Sequence, residues 1–567
     1  MKYIYKILRA ISFALVFVLF APVLSGQEHE NTLLRAMKDE MNRSKNELKL
    51  PDSPSPFFVS YTVAEISYIS VTGTTGTTLN VKESPKERVH SVNLYVGDSK
   101  FSSDYSFTGN GILSTSLTSS EDNYLQLRRN FWQTSDLAYK MAVEVFNSKQ
   151  NTIKNANLSE EEKSLADMLP LKKIEKRVSP PAPFNLNREQ YESLTKIVSA
   201  EFLKHNQLFD TKVNLAGIEA KYYLTSTEGT EIIEPAGYVS LEISGKIRTS
   251  KGQILTDREV ILVRNFEELP SSSELKSFVN NFSSRLNSLK GASEIEEYYL
   301  GPVLFMNEAA ATILSDNLIS PSGIFAYRKP VQVMASTGRV ENISARRDIK
   351  PLEERLNKKV IDSRITVTNR TDLKSYKGIP LLGHYSIDAQ GVAPIEEFNL
   401  IDKGILKNLL STRVPTKTSK SSTGSLRYGV RPRSVSLDMA PGTLVISATG
   451  GATSAELKKE LIKAAKEEGL EYAYIVRKIA NQSDQYIYRV SVKNGEERLV
   501  YGAEITPVQL TKLKRVLGVC REQKVYNYLY QGTIPTSVIY PDGILIEDIE
   551  INKKTISVVK ESPLIVQ

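Results

Sequence analysis

Apolar positions recur every three to four residues over 31–50, where Leu33, Leu34, Met37, Met41 and Leu48 share a stripe with charges opposite. The spacing predicts an amphipathic helix stopped by Pro51, Pro54 and Pro56. From Phe57 the period shortens to two and β-branched residues dominate, which predicts strands joined by Gly/Thr turns, with a second such run over 88–96. A long helix is predicted over 121–155, with Leu127, Phe131, Tyr139, Ala142 and Val145 on its packed face and Trp132 in the core. Residues 158–183 turn charged and then proline-rich, as an exposed connection would. A helix over 187–205, strands over 211–224, 237–248 and 258–263, and a helix over 273–289 complete the first half. A domain boundary is expected at Gly291-Ala292-Ser293, dividing the chain into 30–290 and 291–567.

The second half opens on GPVLFMNEAAATILS (301–315), the most apolar stretch after the N-terminus. With almost no polar face it reads as a buried helix, Pro302 sitting in its first turn. It carries one acid, Glu308, and a carboxylate in such a helix is costly unless paired, hydrogen-bonded or metal-bound. Residues 329–349 have few large apolar side chains and read as a loop over the sheet. Short strands punctuated by Gly, Asp, Asn and Pro dominate from Val360, among them LLGHYSIDAQG (381–391). Helices are predicted over 454–468 and 507–517, with a strand over 472–477 and a hairpin at Lys493-Asn494-Gly495. The fold class is therefore α+β, an N-terminal α/β domain followed by a domain on a curved antiparallel sheet.

Composition narrows the classes. The chain has 567 residues, 41% hydrophobic and 24% charged, which suits two globular domains with sizeable cores. The net charge of +8 is spread along the chain. A nucleic-acid binder needs a clustered basic footprint, so that class is set aside. Residues 1–26 read as a secretory signal: Lys2, Lys6 and Arg9, then the apolar run 10–24, then Ser25-Gly26. The protein is expected to be exported, periplasmic or extracellular, without a stable membrane span; retention of the leader as an anchor is the alternative. One cysteine, Cys520, rules out an intramolecular disulfide.

Several phrases carry a resemblance. Arg128, Trp132, Asp136 and Tyr139-Lys140 follow the order of a helix in the TldD/PmbA family of metalloprotease-related proteins. Tyr385-x-x-Asp388-x-x-Gly391, the hairpin Ile401-Asp402-Lys403-Gly404-Ile405-Leu406, the turn Ser422-Thr423-Gly424, and the phrases EEGLEYAYIVRKI, RLVYGAEITPVQL and KVYNYL are similar to its later segments. The resemblance spans about 31–555. The 301–315 stretch lies where that family keeps its zinc motif, His-Glu-x-x-x-His. Laid on it, Asn307 and Thr312 occupy the histidine positions and Glu308 keeps the general-base position. Cys520 falls in the region of the family's metal cysteine.

The resemblance implies a dimer enclosing a peptide-binding cavity, in which one branch carries zinc and the other acts as partner. This chain resembles the second branch, so no cofactor is expected. Amide and hydroxyl oxygens do not replace imidazole for zinc, and on a regular helix positions 307 and 312 would stand about 140° apart. The leading expectation is a zinc-free pseudo-enzyme that binds unfolded or extended peptides as a homodimer or beside a zinc-bearing relative. Two alternatives stand: a metallopeptidase using Glu308, Cys520 and His384, and a non-enzymatic envelope scaffold. Glu308 itself could be purely structural and Cys520 a buried, inert thiol. The other histidines, His29, His90 and His205, read as surface or hydrogen-bonded. Gly109-Asn110-Gly111 lacks the third glycine of a phosphate loop.

Overall fold

The computed structural model describes residues 31–106, 113–155, 159–180, 184–249, 252–295, 297–319, 323–328, 352–479 and 484–554. The leader, His29, the Gly109-Asn110-Gly111 run and the 329–349 segment lie outside these residues. The fold is α+β.

Helix α1 (Thr32–Glu47) begins where the Asn31 side chain accepts the Leu34 N–H at 3.1 Å, satisfying one orphan donor of the first turn. Strands β1 (Pro56–Thr74) and β2 (Thr77–Val96) form one long hairpin. Thr75 and Gly76 close it, both at positive φ (44° and 82°), the two-residue turn whose twist matches paired strands. With β3 (Leu113–Thr118), β4 (Lys176–Val178), β5 (Phe209–Ser226), β6 (Glu231–Arg248) and β7 (Ile254–Val263) they build a seven-stranded sheet, antiparallel except for β4 on β6. β3 is one edge and β7 pairs only with β6. Helices α1 and α2 (Tyr124–Asn155) cover one part of its face. The short α3 (Glu160–Ser164) follows, then α4 (Arg188–Ala200) and α5 (Ser272–Ser288), which cover another part. Trp132 departs from expectation. Leu127, Phe131 and Tyr139 are buried as predicted, but Trp132 is 45% exposed, because one residue beyond Phe131 lies about 100° round the helix.

The second half contains β8 (Ser293–Glu294), β9 (Tyr299–Met306), helix α6 (Glu308–Leu318), β10 (Ile365–Arg370), β11 (Ser375–Tyr376), β12 (Ile379–Pro380), β13 (Glu397–Asp402), β14 (Ile405–Leu406), β15 (Leu426–Arg431), β16 (Ser434–Met439) and β17 (Thr443–Ala448). Helix α7 (Ser454–Glu467) follows, then β18 (Tyr472–Lys478), β19 (Tyr486–Ser491), β20 (Glu497–Tyr501), β21 (Ala503–Ile505), β22 (Gly518–Val519), β23 (Gln523–Tyr530), β24 (Ile534–Pro541) and β25 (Gly543–Lys553). Two large sheets result. One runs β14-β13-β10-β17-β24-β23; the other runs β21-β25-β9-β18-β19-β20-β8, with β22 on β25.

The stretch expected to be one buried helix is a strand and then a helix. β9 is a central strand, antiparallel to β25 and parallel to β18. Val303 and Phe305 face α6, whereas Leu304 faces α7. A strand buried on both faces shows no alternation, so its pattern cannot be told from that of a buried helix. Pro302 is accommodated because β25 bulges opposite it, between Ile546 and Ile549. Helix α6 packs between the two sheets, its apolar residues in one cluster with Phe305 and Val538.

Two further expectations fail. The predicted helix over 507–517 is irregular apart from a single turn at Lys512–Lys514. Leu513 and Val516 are pinned in the core, and Arg364 holds the Val516 and Leu517 carbonyls from outside the segment, so tertiary contacts override the local helical pattern. Residues 381–391 form a loop, not a strand. Gly391 stands at φ 77°, and the Asp388 side chain accepts the Gln390 and Val392 N–H groups at 2.8 Å each, the local bonding by which Asp competes with sheet ladders.

The halves meet over a large surface. Tyr222 stacks on Tyr428 with ring centroids 4.3 Å apart. Arg413 holds Glu228 with two bonds of 2.7 Å. Asp257 on β7, which is fully buried, accepts from Lys478 Nζ (2.6 Å), Tyr486 Oη (2.8 Å) and Arg285 Nη2 (2.7 Å).

Candidate functional site

Strand β9 delivers the chain to Asn307, which turns it into α6 at φ 50°, ψ −134°. Few residues other than glycine tolerate this region, although Asn is among those that do. Asn307 is therefore a turn residue and not part of the helix, so the 140° argument does not apply to it. Its N–H donates to the Asp542 carbonyl and carboxylate at 3.2 Å each, and its side-chain oxygen accepts from Lys524 Nζ at 2.8 Å. Lys524 in turn pairs with Asp542 at 2.9 Å. Asn307→Gly should keep the stability of the wild type in thermal melts. Asn307→Val should cost ~1–3 kcal/mol, the usual cost of forcing a branched residue into such a conformation.

Glu308 is the first residue of α6 and half-buried. Among the described residues its carboxylate makes no hydrogen bond or ion pair. Burial lifts its carboxyl above the usual carboxylate range; Lys478 and Arg285 oppose the rise, and Glu259 and Asp257 add to it. Thr312 spends its hydroxyl on the Glu308 carbonyl, 2.9 Å away. Glu308, Thr312 and Asp316 are spaced by four residues, so they form one polar stripe on a helix whose other polar side chains, Ser315 and Asn317, bond to its own backbone. Facing it on β23, Tyr526 and Tyr528 stack 5.6 Å apart. Burial pushes the Tyr526 hydroxyl up to about 12, with Glu308 and Asp316 adding to the effect.

The site lies at the junction of the halves. β7 and β23 are both edge strands, and they meet where Asn527 Nδ2 donates to the Leu262 carbonyl at 3.3 Å. Edge strands carry unpaired backbone groups available to an extended chain. The helix therefore presents a half-buried acid, a hydroxyl and two tyrosine faces beside two strand edges.

The remaining candidates lie elsewhere. Cys520 is 1% exposed and packs with Leu304, Leu457 and Leu461 on the α7 side of the sheet, across from α6. Its thiol donates to Glu522 at 2.8 Å, and its pKa is raised by burial and by that carboxylate. His384 bonds the Thr371 carbonyl through Nδ1 at 2.7 Å. His90 is buried against Thr134, and its pKa is lowered to about 4 by burial. His205 bonds Asn280 at 2.7 Å. The grouping of Glu308 with Cys520 and His384 is thus not assembled. No three His, Cys, Asp or Glu residues converge on a metal position among the described residues. Catalytic zinc takes three protein ligands, mainly imidazole and thiolate. An amide held by Lys524, a hydroxyl held by a carbonyl and a thiol on the other face of the sheet do not fit it.

Sequence reasoning missed Asp316, Tyr526 and Tyr528. The four-residue spacing from Glu308 could have exposed Asp316; the tyrosines lie in the KVYNYL phrase that carries the resemblance, but nothing in it places them beside α6.

Residues 300–553, less than half of the chain, match a family model described as the PmbA/TldA metallopeptidase C-terminal domain. Comparison with curated proteins finds no match. Among solved structures, the fold is similar to that of a protein from Thermotoga maritima described as a candidate modulator of a DNA gyrase, at 15% identity and a TM-score of 0.57, covering 87% of this chain and 96% of that one. TldE from Thermococcus kodakarensis is similar at 11% identity and a TM-score of 0.57, over 91% and 99%. A candidate modulator of DNA gyrase from Bacteroides thetaiotaomicron is similar at 14% identity and a TM-score of 0.57, over 92% and 98%.

Proposed function

We propose that this chain is an exported, zinc-free relative of the TldD/PmbA metallopeptidases that binds unfolded or extended peptides beside α6, at the edges of β7 and β23, and pairs with a zinc-bearing relative that cuts them. One observation carries the reading. Asn307 and Thr312, which the resemblance lays on the histidine positions of a zinc motif, lie within the segment matched by the metallopeptidase model, and their polar atoms are engaged by Lys524 and the Glu308 carbonyl. With no imidazole at either position to hold zinc, Glu308 would have no metal-bound water to activate. The edges of β7 and β23 support the binding half of the reading, because main-chain pairing gives affinity with tolerance of sequence.

The test is equilibrium binding of a fluorescein-labelled unfolded peptide to the purified mature chain. Saturable binding that is indifferent to chelator and retained by Glu308→Gln is expected. Absence of binding, alone and with a zinc-bearing relative, overturns the proposal. The mature chain should begin near residue 27; N-terminal sequencing of protein from the envelope fraction checks this.

A further inference from the structure

Among the described residues, buried arginines are matched by carboxylates, with one exception. Arg88, 2% exposed, bonds Glu65 and Asp122. Arg413, also 2% exposed, bonds Glu228. Arg427 on β15 is 8% exposed. Of its five N–H donors, one reaches the Pro441 carbonyl at 2.7 Å. Its guanidinium lies over the Tyr385 ring, 4.5 Å from the centroid. No carboxylate pairs with it among the described residues, and burial lowers its pKa with only Tyr385 and Tyr528 opposing. A buried cation so poorly compensated is costly, and a ligand anion would relieve that cost.

One buried donor nearby lacks an acceptor. The Tyr528 hydroxyl is enclosed and bonds to nothing, and it is close enough to Arg427 for each to influence the other's charge. Tyr528 also feels Asp316 of α6. Tyr528 stacks on Tyr526, so it links the surroundings of Arg427 to the side of β23 that faces α6. Water or a carbonyl would satisfy the hydrogen bonds but not the charge. A carboxylate supplies both, and its two oxygens match the guanidinium fork.

We propose that Arg427, with the Tyr528 hydroxyl, binds a ligand carboxylate, namely the C-terminal carboxylate of a peptide held beside α6 and β23. That the carboxylate belongs to a peptide rests on the function proposed above; that the site takes a carboxylate does not.

The experiment uses the full mature chain and two readouts. In the first, one peptide is compared as free acid, as C-terminal amide, and as an amide ending in a glutamate side chain. The free acid should bind at least about tenfold more tightly than the amide, as a hydrogen bond to a charged group allows, and the ratio should fall to near one in Arg427→Met. Recovery of affinity by the glutamate amide, lost in the same variant, assigns the site to an acidic side chain instead of the terminus. In the second, sodium acetate should raise the melting temperature above sodium chloride of equal ionic strength in the wild type and not in Arg427→Met. Replacing an uncompensated buried charge by an apolar side chain of similar length should leave the fold intact, and Arg427→Lys should keep part of the acetate effect. Equal affinity for acid and amide, with no acetate effect in the wild type, overturns the site. An acetate effect that depends on Arg427, with no peptide bound in any form, leaves the carboxylate site standing and removes the peptide reading.

Discussion

Asp257→Ala is expected to destabilise the protein by about 3–5 kcal/mol, the usual result of stripping one partner from a buried ionic cluster. Asp257 is fully buried on β7, in the first half of the chain. Lys478 and Tyr486, which bond it at 2.6 and 2.8 Å, belong to the second half, and Arg285 completes the set at 2.7 Å. The substitution leaves two cations facing one another without their shared anion. The loss should also uncouple the halves. Trp132 is the only tryptophan and reports the first half, so its fluorescence transition in denaturant should separate from the overall loss of circular dichroism. Adding Lys478→Met should recover much of the stability, because it removes one stranded charge. A loss below about 1 kcal/mol, or a double variant no better than the single one, would show that water reaches the cluster and that the halves are held by other contacts.

Asp388→Asn should reshape the pH dependence of stability. Asp388 is 2% exposed. One of its oxygens accepts two backbone N–H groups, while the other is buried without a partner. Burial pushes its carboxyl from the ordinary 3.8 up to about 7, against the pull of those N–H groups and of Arg413. A carboxyl raised in the native state keeps its proton there while the unfolded chain releases it. Its contribution is therefore fully favourable below the unfolded value, falls as pH rises from about 4 to about 7, and stays low above that. A shift of about three units corresponds to roughly 4 kcal/mol. The difference in unfolding free energy between Asp388→Asn and wild type should thus grow in the variant's favour across that window and level off near pH 8. Urea titrations at a series of pH values measure it. A difference that does not change with pH would show that Asp388 is ionised and solvated in the native state.

The sequence pattern located most elements because most helices and strands here bury one face. Leu33, Met37 and Met41 of α1, and Leu127, Phe131 and Tyr139 of α2, are buried as their period requires. The pattern failed where burial is two-sided. β9 carries Val303, Leu304 and Phe305 into two different clusters, and such a run has no period to read. It failed again at 507–517, where core burial of Leu513 and Val516 and the Arg364 bond to the Val516 carbonyl hold the chain in an irregular path that local propensity does not encode. Glu308 was legible as the one acid in an apolar stretch, and its half-buried, unpaired state is what made that acid conspicuous. The features that bind the halves were not legible. Asp257 and Lys478 are 221 residues apart, and neither differs locally from a surface charge. Arg427 and Tyr528 could not be singled out for the same reason: being buried without a partner is a property of the fold.

The most direct test of the central claim is cleavage of an unfolded peptide by the purified, unmodified chain, followed by mass spectrometry with and without chelator. The account predicts that the intact peptide is recovered under both conditions, and that Asn307 and Thr312 leave the isolated chain unable to cut it. Cleavage that is abolished by chelator, and lost in a folded Glu308→Gln variant, would contradict it.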